Sequence, residues 1–271
     1  FALKTKVTLK ASTSVRKYTS PEVIGVIEGS DPKLKDEYVV LMGHADHLGV
    51  RPNMPGDNIY NGALDNGAGI ATLLEVAHAF TKGERPRRSL LIVANTAEEK
   101  GLLGAEYFAH YPTVPVDKIV AGIDLDMPML MYDFTDVVAY GGDHSTLGEA
   151  FRKAGATMGV TVSPDPMPEQ TIFVRSDHYA LVKAGIPAVM LATGMQNGGQ
   201  AAWDSYFEKN YHQPSDDMKL PIRWAQGARF AKINYLVARD LADADQRVRW
   251  YAKDYFGDLF AEKAAKAEKP K

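Results

Sequence analysis

Tyr38-Val39-Val40-Leu41-Met42 runs five apolar residues straight into Gly43-His44-Ala45-Asp46. An unbroken apolar run of this length suits a central strand covered on both faces, where alternation would mark a strand with one wet face. Three more such runs follow: Ser89-Leu90-Leu91-Ile92-Val93-Ala94, Ile119-Val120-Ala121-Gly122-Ile123 and Ala188-Val189-Met190-Leu191. Helical patterns lie between them. Ile70, Leu73, Leu74, Ala77 and Phe80 recur at helical spacing, with Asn66 placed to cap that helix. Residues 145–156, 176–184 and about 222–243 also read as helices. Strands alternating with helices predict an α/β fold: a mostly parallel, mixed central sheet with helices on both faces.

Outside this frame the signals are weaker. Residues 5–18 alternate roughly apolar and polar, as an exposed or edge strand does. Pro21 to Glu28 reads as another strand, ended by the turn residues Gly29-Ser30-Asp31-Pro32. Arg85, Arg87 and Arg88 read as a solvated entrance to the second central strand. Residues 252–271 read as a charged tail, helical or frayed. No internal repeat or linker breaks the chain, so 1–271 is expected to be one domain.

The chain has 271 residues, 45% of them hydrophobic and 24% charged, an ordinary globular composition. A net charge of −3 gives no general pull toward nucleic acid. There is no cysteine, which excludes disulfides, thiolate zinc sites and a cysteine nucleophile. No apolar run reaches transmembrane length.

The acids and histidines carry the chemistry. His44 and Asp46 follow the first central strand at once, Glu98 and Glu99 the second, and Asp124 and Asp126 end the third. Sites in open α/β sheets gather outside the carboxyl ends of the strands, so these residues should converge. Asp65 precedes a helix, and His212 lies in the loop Tyr211-His212-Gln213-Pro214-Ser215-Asp216. Carboxylates and imidazoles brought together without Lys or Arg call for a divalent cation. Nitrogen and oxygen donors without thiolate suit catalytic zinc. Five ligands, His44, Asp65, Glu99, Asp126 and His212, with one shared carboxylate suit two ions. Asp65 is the candidate for the shared one. Of Glu98 and Glu99, one can coordinate while the other takes a proton from water as general base.

Taken in order, Gly43-His44-Ala45-Asp46-His47-Leu48-Gly49, Gly62-Ala63-Leu64-Asp65-Asn66-Gly67-Ala68-Gly69, Thr96-Ala97-Glu98-Glu99-Lys100-Gly101-Leu102-Leu103-Gly104, Asp124-Leu125-Asp126-Met127, Ser176-Asp177-His178 and Tyr211-His212 resemble one family. It is the di-zinc metallopeptidase family of secreted bacterial leucine aminopeptidases and glutamate carboxypeptidase II. The motifs are weak singly and specific as an ordered set. The resemblance implies two zinc ions, His44 with Asp126 on one and Glu99 with His212 on the other, bridged by Asp65. It implies Glu98 as general base and later proton donor, Asp46 as the residue steering the His44 ring, and Tyr211 as oxyanion donor. It implies a cis peptide at Asp65-Asn66, and Ser176-Asp177-His178 as support beside the site. It implies peptide substrates and a secreted or periplasmic setting. The family's usual Asn-Leu-Asp reads Asp124-Leu125-Asp126 here, and the register of Met127 favours Asp126 as ligand. The chain begins where an inserted protease-associated domain ends in many relatives, so that insert and the family's opening helices are expected to lie outside it.

Each residue also has a plainer reading. A lone His44 is more often a satisfied core histidine, Glu98-Glu99 a solvated turn, and Asp65 a first-turn acid favoured by the helix dipole. Tyr211 could simply pack, and Asp124 is better read as structural. His47, His78, His110 and His144 read as surface or structural, while His178 could line the pocket. Met127, Met129 and Met131 read as core or pocket wall. An aminopeptidase is the first functional reading. A carboxypeptidase or dipeptidase on the same scaffold would use Arg175 to hold a C-terminal carboxylate. A non-catalytic binding domain is the remote alternative, disfavoured because all five ligands are present.

Overall fold

The computed structural model describes residues 4–270. Among these the strands are β1 (Val23–Ile27), β2 (Tyr38–His44), β3 (Gly49–Val50), β4 (Ile59–Tyr60), β5 (Ser89–Asn95), β6 (Ile119–Asp124), β7 (Asp136–Tyr140), β8 (Thr161–Ser163) and β9 (Ala188–Thr193). The helices are α1 (Ala68–Lys82), α2 (Leu103–His110), α3 (Leu147–Met158), α4 (His178–Lys183), α5 (Gly199–Lys209), α6 (Trp224–Asp243) and α7 (Tyr255–Phe260). Seven strands form one sheet in the order β1-β5-β2-β6-β9-β7-β8, and β3 pairs with β4 apart from it. The centre, β5-β2-β6-β9, is parallel; β1 joins β5 and β7 joins β9 in antiparallel fashion. The expected mixed, mostly parallel sheet is what forms.

The alternation of side chains along a strand explains the two apolar layers. On β2, Val39 and Leu41 face one layer, with Leu73, Val76 and Phe80 of α1 and Phe230, Ile233 and Val237 of α6. Val40 and Met42 face the other, with Phe108 of α2 and Leu181 of α4. Each of these β2 residues is fully buried. A side chain of this size contributes about 1.5–3 kcal/mol on burial. Helices on both faces are therefore what the unbroken run at 38–42 requires.

Four expectations change. Residues 5–18 join no sheet, and Val7, Leu9, Val15 and Tyr18 are exposed. Their alternation has no apolar surface to bury against, and alternation without burial does not hold a strand. Arg88 is not at a solvated entrance. It is 1% exposed, its Nε donates to Glu37 at 2.7 Å, and its guanidinium donates to the Leu241 and Ala244 carbonyls at the end of α6. Part of the charged tail is folded: Asp254 caps α7 through the Gly257 amide at 3.0 Å, and Ala252 donates to the Ala267 carbonyl at 2.8 Å. Asn66 does not cap α1; its side chain is used elsewhere, as described below. No helix among the described residues is long and apolar enough to cross a membrane.

Candidate metal centre

Because β5, β2 and β6 are parallel, their carboxyl ends lie at one edge. The register sets them side by side, with His44 opposite Asn95 and Met42 opposite Asp124. His44, the Glu98-Glu99 turn and Asp126 therefore emerge together. The His44 ring is fixed by its Nδ1, 2.9 Å from the Asp46 backbone carbonyl, which leaves Nε2 facing the cluster. Asp46 thus meets the His44 ring through its backbone carbonyl and not through its side chain. Its carboxylate accepts instead from the Ala97 amide at 2.7 Å and the Thr96 hydroxyl at 3.4 Å. It anchors the loop entering Glu98, where Ala97 has a φ of 57°. A left-handed alanine needs such an anchor.

Glu98 and Glu99 stand on one turn of 3-10 helix, Glu98–Lys100. Successive side chains on such a turn diverge by about 120°. Glu98 accordingly faces a cavity shared with Asp126, while Glu99 faces His47 and His212.

Asp65 lies in the turn Ala63–Gly67, and the Asp65-Asn66 peptide is cis. The turn is tied on two sides. Asn66 Nδ2 donates to the Leu125 carbonyl at 2.9 Å, and its Oδ1 accepts from the Met127 amide at 3.2 Å, so the turn is bound to the segment that carries Asp126. Asp216 accepts from the Leu64 and Asp65 amides at 2.9 and 3.0 Å and from the Tyr206 hydroxyl at 3.0 Å. Gly69 packs so tightly here that a Cβ would come within 2.0 Å of the Leu125 carbonyl.

The two oxygens of Asp65 face opposite ways. Oδ1 is 3.2 Å from His44 Nε2, which is also 3.2 Å from Asp126 Oδ1. Oδ2 is 3.2 Å from His212 Nε2, which is 3.1 Å from Glu99 Oε2. The five sequence-predicted ligands thus come together as two groups that share Asp65. Within this one cluster, His44, Asp65 and Asp126 have the spacing of metal ligands, and so do His47, Asp65 and Glu99.

Asp124 faces away from this cluster. One of its carboxylate oxygens is 2.7 Å from the Ser176 hydroxyl and 3.1 Å from the His178 amide. The Ser176 hydroxyl is equally close to Asp126, so Ser176 links the two acids. His178 is fully buried behind the site and does not line the cavity. Asp177 accepts from Asn95 at 2.8 Å and completes the support.

The electrostatics follow from this crowding. Burial pushes the His44 ring down, but Asp126 and Asp65 outweigh it and hold the ring well above its usual range. Hydrogen bonds that His212 donates to the Asp65 and Glu99 carboxylates raise it to about 9. Burial, then the charge of Asp126, pushes Glu98 up to about 9. Burial also raises Asp126. The cluster demands positive charge, and a divalent cation can supply it. The donors are nitrogen and oxygen only, and Glu99 Oε1 is buried without a hydrogen-bond partner among the described residues. The residues present therefore fit zinc.

A cavity of about 410 Å³ opens at the cluster. Glu98, Asp126 and His212 form its polar side; Met190, Met195 and Trp203 form part of its apolar wall. Tyr211 and Arg175 also line it, and the Tyr211 ring stacks on His212 at 3.8 Å. Met127 is at the cavity and Met129 in the core, as read from sequence. A larger groove of about 1220 Å³ between α1 and α6 touches none of the clustered acids and histidines, so its size carries no chemical weight.

Sequence reading missed His47, Asn66 and Asp216. His47 stands one residue past His44-Ala45-Asp46, and Asp216 is in the same loop as His212, so proximity to a ligand was the available signal. It could not say which way either side chain turns.

Comparison with known proteins agrees with this layout. Residues 22–238 match the model of peptidase family M28. A probable leucine aminopeptidase 2 of Aspergillus oryzae is 29% identical over 221 residues, covering 74% of this chain and 40% of that protein. A probable lipoprotein aminopeptidase, LpqL, of Mycobacterium tuberculosis is 26% identical over 258 residues, covering 86% and 49%. The chain thus spans about half or less of the length of these relatives. Among solved structures, BSAP, a zinc aminopeptidase from Bacillus subtilis, superposes with a TM-score of 0.62 at 20% identity, covering 83% of this chain and 50% of that one. A Porphyromonas gingivalis glutaminyl cyclase shares the fold with a TM-score of 0.58 at 19% identity, covering 79% and 76%. With the ordered motifs, the sheet edge and a family match over residues 22–238 in agreement, the chain belongs to peptidase family M28.

Proposed function

We propose that this chain is the catalytic domain of a zinc-dependent aminopeptidase that holds two ions. The observation that carries the reading is Asp65, whose two oxygens face two separate donor groups, His44 with Asp126 and Glu99 with His212. Bound zinc would polarise the scissile carbonyl and make water a nucleophile near neutral pH. Glu98, beside Asp126 at the cavity, takes the proton from the attacking water and passes it to the leaving amine. Tyr211, in the cavity wall, donates its hydroxyl to the oxyanion. Asp46 acts through the loop it anchors and positions Glu98. The substrate's free amine is met by the acids at the cavity, and its side chain by the apolar wall of Met190, Met195 and Trp203. Peptides are the substrates in this reading, and export to the periplasm or beyond is part of it; a relative described as a lipoprotein aminopeptidase supports that setting.

Arg175 in the same cavity favours a second reading, a carboxypeptidase or dipeptidase that anchors a C-terminal carboxylate. Free aminoacyl substrates assayed against N-blocked dipeptides separate the two: the aminopeptidase reading requires cleavage of the first and not the second. The general base is tested with Glu98→Gln. The variant should keep both zinc ions and lose on the order of 10²–10⁴-fold in kcat. Activity that survives the change removes Glu98 from that role.

A further inference from the structure

His47 lies outside the ligand set implied by the motifs, yet it is built into the cluster. Its side chain is only 5% exposed. Its Nδ1 is 2.7 Å from Glu99 Oε1 and 3.9 Å from Asp65 Oδ2. Despite that closeness, neither ring nitrogen of His47 nor Glu99 Oε1 has a hydrogen-bond partner of acceptable geometry among the described residues. A buried imidazole left this way is costly, because each buried polar atom needs a partner. The nitrogen and the oxygen lie close together. Ligands converging on one ion do this: bonds of about 2.0–2.2 Å place donor atoms roughly 3–4 Å apart. His47 Nδ1, 3.9 Å from Asp65 and 2.7 Å from Glu99, lies with them within reach of one ion, and His212 Nε2 stands 3.1 Å from Glu99 and 3.2 Å from Asp65 on the same side.

The ring is held where it is. It meets the His212 ring edge-on at 5.6 Å and tilts against Tyr60 at 6.5 Å. Gly62 makes room for it, since a Cβ there would lie 2.9 Å from the His47 ring. Packing alone would account for a buried histidine, but it leaves both nitrogens and the Glu99 oxygen unexplained.

We propose that His47 is a further protein ligand, through Nδ1, of the ion held by Asp65, Glu99 and His212. The proposal rests on the two-ion reading above. It makes the centre asymmetric. The ion at Glu99 gains a fourth protein ligand and is the more firmly held. The ion at His44 and Asp126 keeps three and the more open coordination, beside Glu98 and the cavity.

A crystal structure of the zinc-loaded chain with anomalous data at the zinc edge tests this directly. The expected separation between His47 Nδ1 and the second ion is about 2.0–2.1 Å. A separation beyond about 3 Å overturns the proposal. In parallel, zinc is titrated against a competing chelator in the wild type and in His47→Asn, with far-UV circular dichroism as the check on folding. One of the two zinc affinities should fall at least about tenfold in the variant while the other stays, in line with lost ligation. Equal affinities for both ions in variant and wild type count against it. The cobalt-substituted forms give a further readout: the visible spectrum should change on His47→Asn, and an unchanged spectrum sinks the assignment. If the wild type binds no zinc at all, the metallopeptidase reading fails. If it binds two with His47 remote, only this inference does.

Discussion

At the scale of single residues, partners outweigh position in sequence. Asp46 supports His44 by its backbone carbonyl, while its carboxylate serves the Thr96-Ala97 loop. Asp126 faces the cluster, while Asp124 is held by the His178 amide, with Ser176 equally close to both acids. Glu22 shows the same dependence away from the cluster. Its carboxyl packs against Gly104, where a Cβ would lie 2.4 Å from its oxygen. Burial raises it from the ordinary 4.5 to about 7, against a lowering contact from the Thr96 backbone. The folded state therefore binds this proton more tightly than the unfolded chain. The associated stability is full below about pH 4.5 and is lost as pH rises through about 7. Glu22→Gln is expected to be the more stable protein at pH 8, by on the order of 1 kcal/mol after discounting for solvent at the half-buried carboxyl. The difference should vanish near pH 4. Thermal melts of both proteins across that range check it, and a variant that melts lower at pH 8 contradicts it.

At the scale of elements, the strands do the gathering and the turns do the aiming. The parallel strands β5, β2 and β6 bring their carboxyl ends level, which was legible from the three apolar runs and the acids that follow them. The turn that carries Asp65 was legible as a helix entrance bearing the shared carboxylate, but not in what holds it. Its orientation depends on Asn66, 59 residues from Leu125 in sequence, and on Asp216, 151 residues from Asp65. Asp216→Ala would leave the Leu64 and Asp65 amides and the Tyr206 hydroxyl without their acceptor. The expected loss is about 2–4 kcal/mol of stability and 10–100-fold in zinc affinity. Urea unfolding and chelator competition measure the two. Unchanged zinc affinity would show that the Asp65 turn holds its place without Asp216.

At the scale of the whole molecule, the sheet gathers acids and imidazoles that repel or strain one another unless positive charge joins them. Zinc binding and folding should therefore be linked. Raising free zinc to about a thousand times its dissociation constant should stabilise the fold by about 4 kcal/mol, read as a rise in Tm that a chelator reverses. A Tm indifferent to zinc and chelator contradicts that linkage. Arg88 ties the end of α6 to the sheet through Glu37 and the Leu241 and Ala244 carbonyls, an ion pair that composition alone reads as solvated. Residues 5–18 err the other way: their alternation suggests a strand, but they meet no apolar surface that would hold one. By itself the sequence determined the α/β layout, the four central strands, four of the helices and the five residues that form the cluster. It could do so because apolar runs, helical periodicity and short ordered motifs are local properties. Only the tertiary structure decided which contacts fix the Asp65 turn, that the Asp46 carboxylate serves the Thr96-Ala97 loop, and that His47 enters the cluster. Those outcomes depend on contacts between segments far apart in the chain, and no local pattern encodes the direction in which a side chain will find its partner.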